Sequence, residues 1–290
     1  MSNKPPIEVP QGAIRLNTDS QKLEFFAQDR WFEMATNVTN IDGGARGIFA
    51  GGDPSRDTNM DFITISSKGN ATDFGDYPIS NGTGTRGIVA NNTRGFIGGG
   101  ESPSAGDSHN VIGKFEFAST GSAIDFANLS WTSKGGAGLS NATRGIMTRG
   151  YGAPTLSRNE IDFFTMATQA NALDFGDATN QEHAVAGCVA GNTTRGVFAG
   201  GGDSSTTDIS YITYTTTGNT TKFGDLASGN GYQAPTSDSI TLVTGGGNAG
   251  GSNNRMDAVA IATGGTATDF GDLNVTKTTM SGSSNGHGGL

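Results

Sequence analysis

Several things are scarce in this chain. Cysteine occurs once, at Cys188, so an internal disulfide framework is excluded. Charged residues are only 16% of the chain and the balance is acidic, at net −9. Phosphate recognition needs clustered Lys and Arg, so a nucleic-acid binder is not expected. So little charge also separates the chain from acidic disordered tails. No stretch approaches the roughly 20 apolar residues of a membrane helix. The opening "MSNKPPIEVPQGAIRL" has no apolar core segment, so we expect no secretory signal and synthesis in a cytoplasm. No segment sustains a helical 3.6 period. The three histidines, His109, His183 and His287, stand far apart without metal-ligand spacing. Cys188 sits in the apolar run "AVAGCVAG" and reads as a small buried residue rather than a nucleophile.

What is abundant is glycine, 47 of 290 residues, roughly twice the usual ~7%. Hydrophobic residues make up 33%, with sixteen Phe among them, enough to build a core in a fold that tolerates glycine. One phrase recurs as "ATDFGD" (71–76), "AIDFAN" (123–128), "ALDFGD" (172–177), "TKFGD" (221–225) and "ATDFGD" (267–272). Its phenylalanines are Phe74, Phe126, Phe175, Phe223 and Phe270, spaced by 52, 49, 48 and 47 residues. A second phrase keeps the same beat: "ARGIFAGG" (45–52), "TRGFIGGG" (93–100), "TRGIMTRG" (143–150) and "TRGVFAGG" (194–201). A fifth copy, "SITLVTGGG" (239–247), has lost the arginine. Between the two lies a β-branched, aromatic run such as "MDFITIS" (60–66) or "ISYITYTTT" (209–217), which suits a pleated surface.

Each repeat therefore reads as four strands: a small-residue strand, the RG strand, the β-branched strand and the DFGD strand. Four strands per ~50 residues is the beat of a kelch-like β-propeller. The expected fold is all-β: a five-bladed propeller over residues 35–290, preceded by a small β-meander over residues 1–34. After the fifth phrase, "TTMSGSSNGHGGL" (278–290) aligns with "GAGLSNATRGI" (136–146), the first strand of a repeat. A lone first strand at that place is expected to complete the blade that begins near residue 45 and so close the ring.

The repeated residues read as structural. Each Phe would pack between blades, the neighbouring Asp would accept backbone N–H groups in the turn, and Arg46, Arg94, Arg144 and Arg195 would pair with that Asp. Five equivalent ligand pockets are the functional alternative. Sequons such as Asn37, Asn70, Asn141, Asn192 and Asn219 read as turns. The Asp/Asn-rich loop "GGDPSRDTNMD" (51–61) lacks the ligand order of an EF-hand, although calcium there stays open. No cofactor is expected, and "GGGESPSAGDSHN" (98–110) holds no phosphate-binding GxxxxGK[ST]. Binding specificity on a rigid repeat usually sits in its variable loops, here 53–59, 101–110, 152–159, 203–208 and 248–255. Trp131, Tyr151 and Tyr232 are candidate stacking faces for sugars, with packing at blade edges as the alternative.

Residues 1–34 carry nine charged residues. "AIRLN", "KLEFFA" and "WFEMA" read as three short strands, too few to be stable alone. This module is expected to dock or to associate as a trimer or higher oligomer. Phe25, Phe26 and Trp31 would be the contacts, unless they merely cover their own strands.

"GAIRLNTDSQKLEFFAQDRWFEMAT" (12–36) resembles a short module recurrent in bacteriophage tail-fibre and virion proteins, through Gly12, Ile14, Arg15, Asn17, Thr18, Lys22, Glu24 and Trp31. The repeats "ATRGI…GGG…IDFFTMAT…ALDFGD" look like those of virion structural proteins of cyanobacterial phages. The Tyr and Trp signature of ordinary cellular kelch repeats is absent. The resemblance implies a non-enzymatic virion protein of the tail, baseplate or neck. It would be attached to other virion proteins by its N-terminal module and would present the propeller for host-surface glycan adhesion. A purely structural decoration or joint protein of capsid or tail is the alternative. A polysaccharide-cleaving enzyme would need facing carboxylates in a central cleft, and the repeated Asp residues have a structural account.

Overall fold

The computed structural model describes residues 9–17, 22–28, 30–33, 46–50, 58–65, 69–79, 87–100, 108–133, 136–152, 156–179, 188–201 and 206–277. The chain divides into two compact units, Met1–Asn40 and Ile41–Leu290. The first contains a three-stranded antiparallel meander of β1 (Ile14–Asn17), β2 (Lys22–Ala27) and β3 (Arg30–Glu33). Its register places Ile14 opposite Phe25 and Phe25 opposite Phe32. Strand side chains alternate between faces. Ile14, Leu16, Leu23, Phe25 and Phe32 therefore share one face. Arg15, Glu24, Phe26 and Trp31 share the other.

In the second unit every repeat folds into one small antiparallel sheet, a blade. Blade one has β4 (Arg46–Ala50), β5 (Asn59–Thr64) and β6 (Thr72–Asp76). Blade two has β7 (Gly87–Ala90), β8 (Arg94–Gly98), β9 (His109–Glu116) and β10 (Ile124–Ser133). Blade three has β11 (Gly138–Ser140) and β12 (Arg144–Thr148), then the separate hairpin β13 (Tyr151–Gly152) and β14 (Leu156–Ser157), then β15 (Glu160–Thr165) and β16 (Leu173–Asp177). Blade four has β17 (Cys188–Gly191), β18 (Arg195–Ala199), β19 (Thr206–Thr213) and β20 (Thr216–Asn230). Blade five has β21 (Ala234–Ser237), β22 (Thr241–Gly245), β23 (Asn253–Ala260) and β24 (Thr268–Lys277). Blades two to five are four-stranded in simple meander order; among the described residues blade one has three strands, with β4 at its edge.

Neighbouring blades bury their faces against each other in four apolar clusters. Ile48, Phe62 and Phe74 of blade one meet Ile97 and Phe115 of blade two. Phe96 and Phe126 meet Met147, Phe164 and Met166 of blade three. Ile146 and Phe175 meet Phe198, Ile212 and Tyr214 of blade four. Val197 and Ile209, with Phe223 packed alongside, meet Val259 and Ile261 of blade five. The rings meet edge to face, with Phe74 5.6 Å from Phe115 and Phe96 5.1 Å from Phe164. Such geometry suits the aromatic quadrupole. The glycines of the RG pairs in blades two to four make room for this layer. A Cβ at Gly95 would lie 2.0 Å from the Phe115 ring, and one at Gly145 2.4 Å from the Phe164 ring.

The recurring phrase is used residue by residue. Its first Asp caps the bulge at the start of the outer strand: the Gly75 N–H donates to Asp73, Gly176 N–H to Asp174 and Gly271 N–H to Asp269. The Phe enters the junction, and its carbonyl accepts an N–H from the next blade, as in Gly121 to Phe74 and Gly265 to Phe223. The final residue donates its N–H to a side chain of the next blade: Asp76 to Ser122, Asn128 to Asn171 and Asp177 to Asn219. Gly176 must be glycine on two counts: its φ is +139°, and a Cβ would lie 2.5 Å from the Gly218 backbone.

Gly176→Ala is therefore expected to cost well over 1 kcal/mol, by strained φ and by forcing two blades apart. Gly69→Ala, with nothing within 4 Å of its added Cβ, should stay within about 0.5 kcal/mol of wild type. Chemical denaturation of both variants checks this.

Candidate functional site

The repeat arginines do not pair with the phrase carboxylates, as the sequence suggested. Each reaches into the next blade and donates to a main-chain carbonyl. Arg46 takes Phe117 O at 2.7 Å, Arg94 Met166 O at 3.3 Å, Arg144 Tyr214 O at 2.5 Å and Arg195 Ile261 O at 3.1 Å. Three of them also lie over an aromatic ring of their own blade: Arg46 over Phe62, Arg144 over Phe163 and Arg195 over Tyr211, at 5.1, 4.8 and 4.4 Å. A planar guanidinium can stack and donate at once, which an ammonium cannot. Asp73, Asp174 and Asp269 instead accept the bulge N–H groups, Asp76 a hydroxyl from Thr58, and Asp225 the Lys222 amine. Lys222, standing where other blades have the first Asp, binds Asp208 and Asp225 and is pushed up to about 12 by them.

The turn before each RG strand is a second link. Asn91, Asn141 and Asn192 accept the N–H groups two and three residues on. The Asn192 amide then donates to Ser239 O of the next blade at 3.1 Å. Asn141 and Asn192, both sequons, are thus turn residues. In blade five the position is Asp238, held below the usual carboxylate range by the Thr241 and Ile240 N–H groups.

A third link involves a buried acid on the β-branched strand. Asp162 is 1% exposed and accepts the Ser130 N–H at 2.6 Å and the Ser130 hydroxyl at 2.9 Å. Burial pushes its carboxyl up, and the two Ser130 bonds only partly hold it back. Asp257, 2% exposed, is bound by Arg255 Nε at 3.0 Å and by the Ala227 backbone; burial raises it too.

Trp131 is buried in the cluster between blades two and three. Arg149 lies 6.0 Å over its ring and pairs with Glu160 at 2.6 Å. Its face is closed to a sugar. Tyr151 begins the β13–β14 hairpin, and its side chain lies outside the described residues. Tyr232 is half-buried at φ +53°, its N–H bonded to Gly201 O. Phe25, Phe26 and Trp31 do not form one surface. Phe25 stacks on Phe32 at 5.5 Å on one face, while Phe26 meets Trp31 at 5.3 Å on the other. There Arg15 covers Trp31 at 4.1 Å and binds Glu24 at 2.8 Å. Among the phrase phenylalanines, Phe270 alone is largely open, at 60% exposure.

Among the described residues no group of three or more His, Cys, Asp or Glu is arranged to hold a metal. His183, His287 and the Cys188 side chain lie outside the described residues, as do most of the variable loops. Only 248–255 is described in full. A shallow cleft between blades three and four, about 150 Å³ and lined by Phe175, Tyr211, Thr213 and Asn219, holds no charged group.

Asp162 yields a test. A carboxyl raised in the folded state favours folding below its ordinary value of 3.8. That contribution is lost as pH rises through the folded value. Asp162→Asn cannot titrate, so its Tm minus that of wild type should become more positive between pH 4 and 7. A pH-independent difference in the same thermal scans would show that Asp162 is not raised.

No protein-family model matches the chain, and no curated protein matches it. Among solved structures, that of YjhT is similar over 83% of this chain and 84% of its own, with a TM-score of 0.65 and 10% identity. At that identity the likeness concerns the fold: an all-β, propeller-like array of small antiparallel sheets.

Proposed function

We propose that this chain is a bacteriophage virion protein whose repeat unit is a closed five-bladed propeller, carried on the particle by its N-terminal module. The observation that carries the reading is where the repeated chemistry goes. Arg, Asn, Phe and Asp of the repeats are consumed in joining blade to blade. Such a scaffold leaves its variable loops to meet partners. The reading is non-enzymatic, and the engaged state of the phrase carboxylates supports it. The resemblance of residues 12–36 to a phage tail-fibre module supports the particle assignment.

Blade one supports closure. Among the described residues no inner small-residue strand lies beside its β4, as one does in every other blade. Residues 278–290 carry that strand's sequence, and in this reading they supply it. Blade five fits this arrangement. Its turn residue is Asp238 rather than Asn, and a blade assembled from two chain ends has no preceding turn for an amide to reach.

The N-terminal sheet presents Ile14, Leu16 and Leu23 at 63, 60 and 42% exposure beside Phe25. Copies of the module pack these faces together and give a homo-oligomer. Of the two roles for the propeller, the burial of Trp131 beneath Arg149 favours bracing between virion proteins, whereas adhesion rests on the loops.

Cryo-EM of the intact particle tests location. A propeller facing solvent on the tail or baseplate, with glycan binding by the pure protein, supports adhesion. A propeller sandwiched between virion proteins supports bracing. Absence of the chain from the particle overturns both. For the oligomer, Leu16→Glu should lower the mass found by light scattering to that of one chain; an unchanged mass places the contact elsewhere.

A further inference from the structure

The five blades make four described junctions, and each junction follows a rule that also specifies the fifth. Four positions after the phrase Phe, the chain either offers an N–H to the next blade or does not. Ser130 offers it, and blade three answers with Asp162, opposite Met147. Ala227 offers it, and blade five answers with Asp257, opposite Thr244. Pro78 has no N–H, and blade two has Gly113 at the answering position, where a Cβ would lie 2.9 Å from the Pro78 ring. Thr179 gives its N–H to Thr220, and blade four has the uncharged Ser210.

The answering position of blade one is Asp61, opposite Phe49. It is an acid, and it is exposed. Around it, Phe49 and Ile65 are 60% and 67% exposed. Their counterparts Met147 and Phe198, and Met166, Tyr214 and Ile261, are essentially fully buried. At the far end of the series, blade five exposes Phe270 and, four positions on, Asn274, which has an N–H to give. We infer that the outer face of blade five seats on blade one of the same chain, with Asp61 accepting the Asn274 N–H and Phe270 buried against Phe49 and Ile65.

This inference rests on the closed-ring reading and deepens it by naming the mating residues. The same chain is the right occupant because the junction is weak. Blade five has Thr241 where the others have the clamping Arg, and Asp238 where blades two to four have the linking Asn. Two separate copies would have to associate through this poorer set of contacts. Within one chain the ends meet at high effective concentration, which offsets the missing links. The seam is consequently the junction that opens first.

The test uses the full chain with Cys188→Ala, so that only introduced thiols react. Asp61→Cys with Asn274→Cys should oxidise to a disulfide within one chain, readable by mass spectrometry of peptides and by faster migration without reductant. Phe270→Ala should lower Tm by several degrees, as Phe175→Ala should at a described junction. Disulfides that join two chains, even at high dilution, overturn the proposal in favour of a second copy. Failure of the pair to oxidise, together with an unchanged Tm for Phe270→Ala, overturns the mating of these faces. Truncation after Lys277 separates the two readings. If it lowers Tm while the cysteine pair stays reduced, closure by the C-terminal strand stands and the face register falls.

Discussion

A four-stranded blade of short strands cannot bury both of its faces by itself. Everything in the second unit follows from that constraint. Each blade is apolar on two sides, so its stability is a property of its junctions. The four described clusters are the core, cut into slices between sheets. Apolar burial supplies the bulk of the free energy, at about 25 cal/mol per Å² removed from water, but it is non-directional. What sets the register of one blade on the next is polar. The guanidinium fixes one carbonyl, the turn Asn a second, and the final residue of the phrase a third contact. Three points define how one rigid sheet seats on another.

The division of labour explains why the phrase tolerates some changes and resists others. Asn128 replaces the last Asp in blade two and still gives its N–H to Asn171, because the bond uses the backbone. Lys222 replaces the first Asp in blade four, and its amine then binds Asp208 and Asp225. The Phe is kept in every copy, since only a large flat side chain fills the space between sheets. Blade three departs most at its rim. Arg149 stands where blades two, four and five have glycine, and its pairing with Glu160 and cover of Trp131 close that end of the junction.

Much of this was legible in the sequence. The period, the four-stranded sheets of blades two to five and the packing of Phe74, Phe126, Phe175 and Phe223 followed from spacing and residue type; the β13–β14 hairpin did not. Asp73 and Asp174 as acceptors of turn N–H groups followed from the chemistry of Asp before glycine. The target of the arginines did not. A sequence shows charges that can pair, but it does not show that a main-chain carbonyl of the next blade, rather than a carboxylate of the phrase, stands within reach of the guanidinium. The buried acids were missed for a related reason. Asp162 and Asp257 sit in the β-branched run, where one acid among apolar residues reads as a solvated edge. Only their shared register opposite Met147 and Thr244 marks them as a set. In the N-terminal module the adjacent Phe25 and Phe26 were read together, though neighbours in a strand must face opposite ways.

Repeat arrays have ends, and an end shows in what it stops making. Arg46, Arg94, Arg144 and Arg195 each serve the following blade, never the preceding one, so the array is directional. The fifth is the last blade described, and there Thr241 replaces the arginine and Asp238 the asparagine of blades two to four. A terminal repeat of an open solenoid would also replace its outward apolar residue by a polar one, to stay soluble. Blade five does not: it keeps Phe270. Blade one likewise keeps Phe49, Asp61 and Ile65 on its outward face. An end that has given up its directional bonds yet kept its apolar and acid-binding residues is not dressed for water. Its chemistry is what the proposed ring junction between blades five and one calls for.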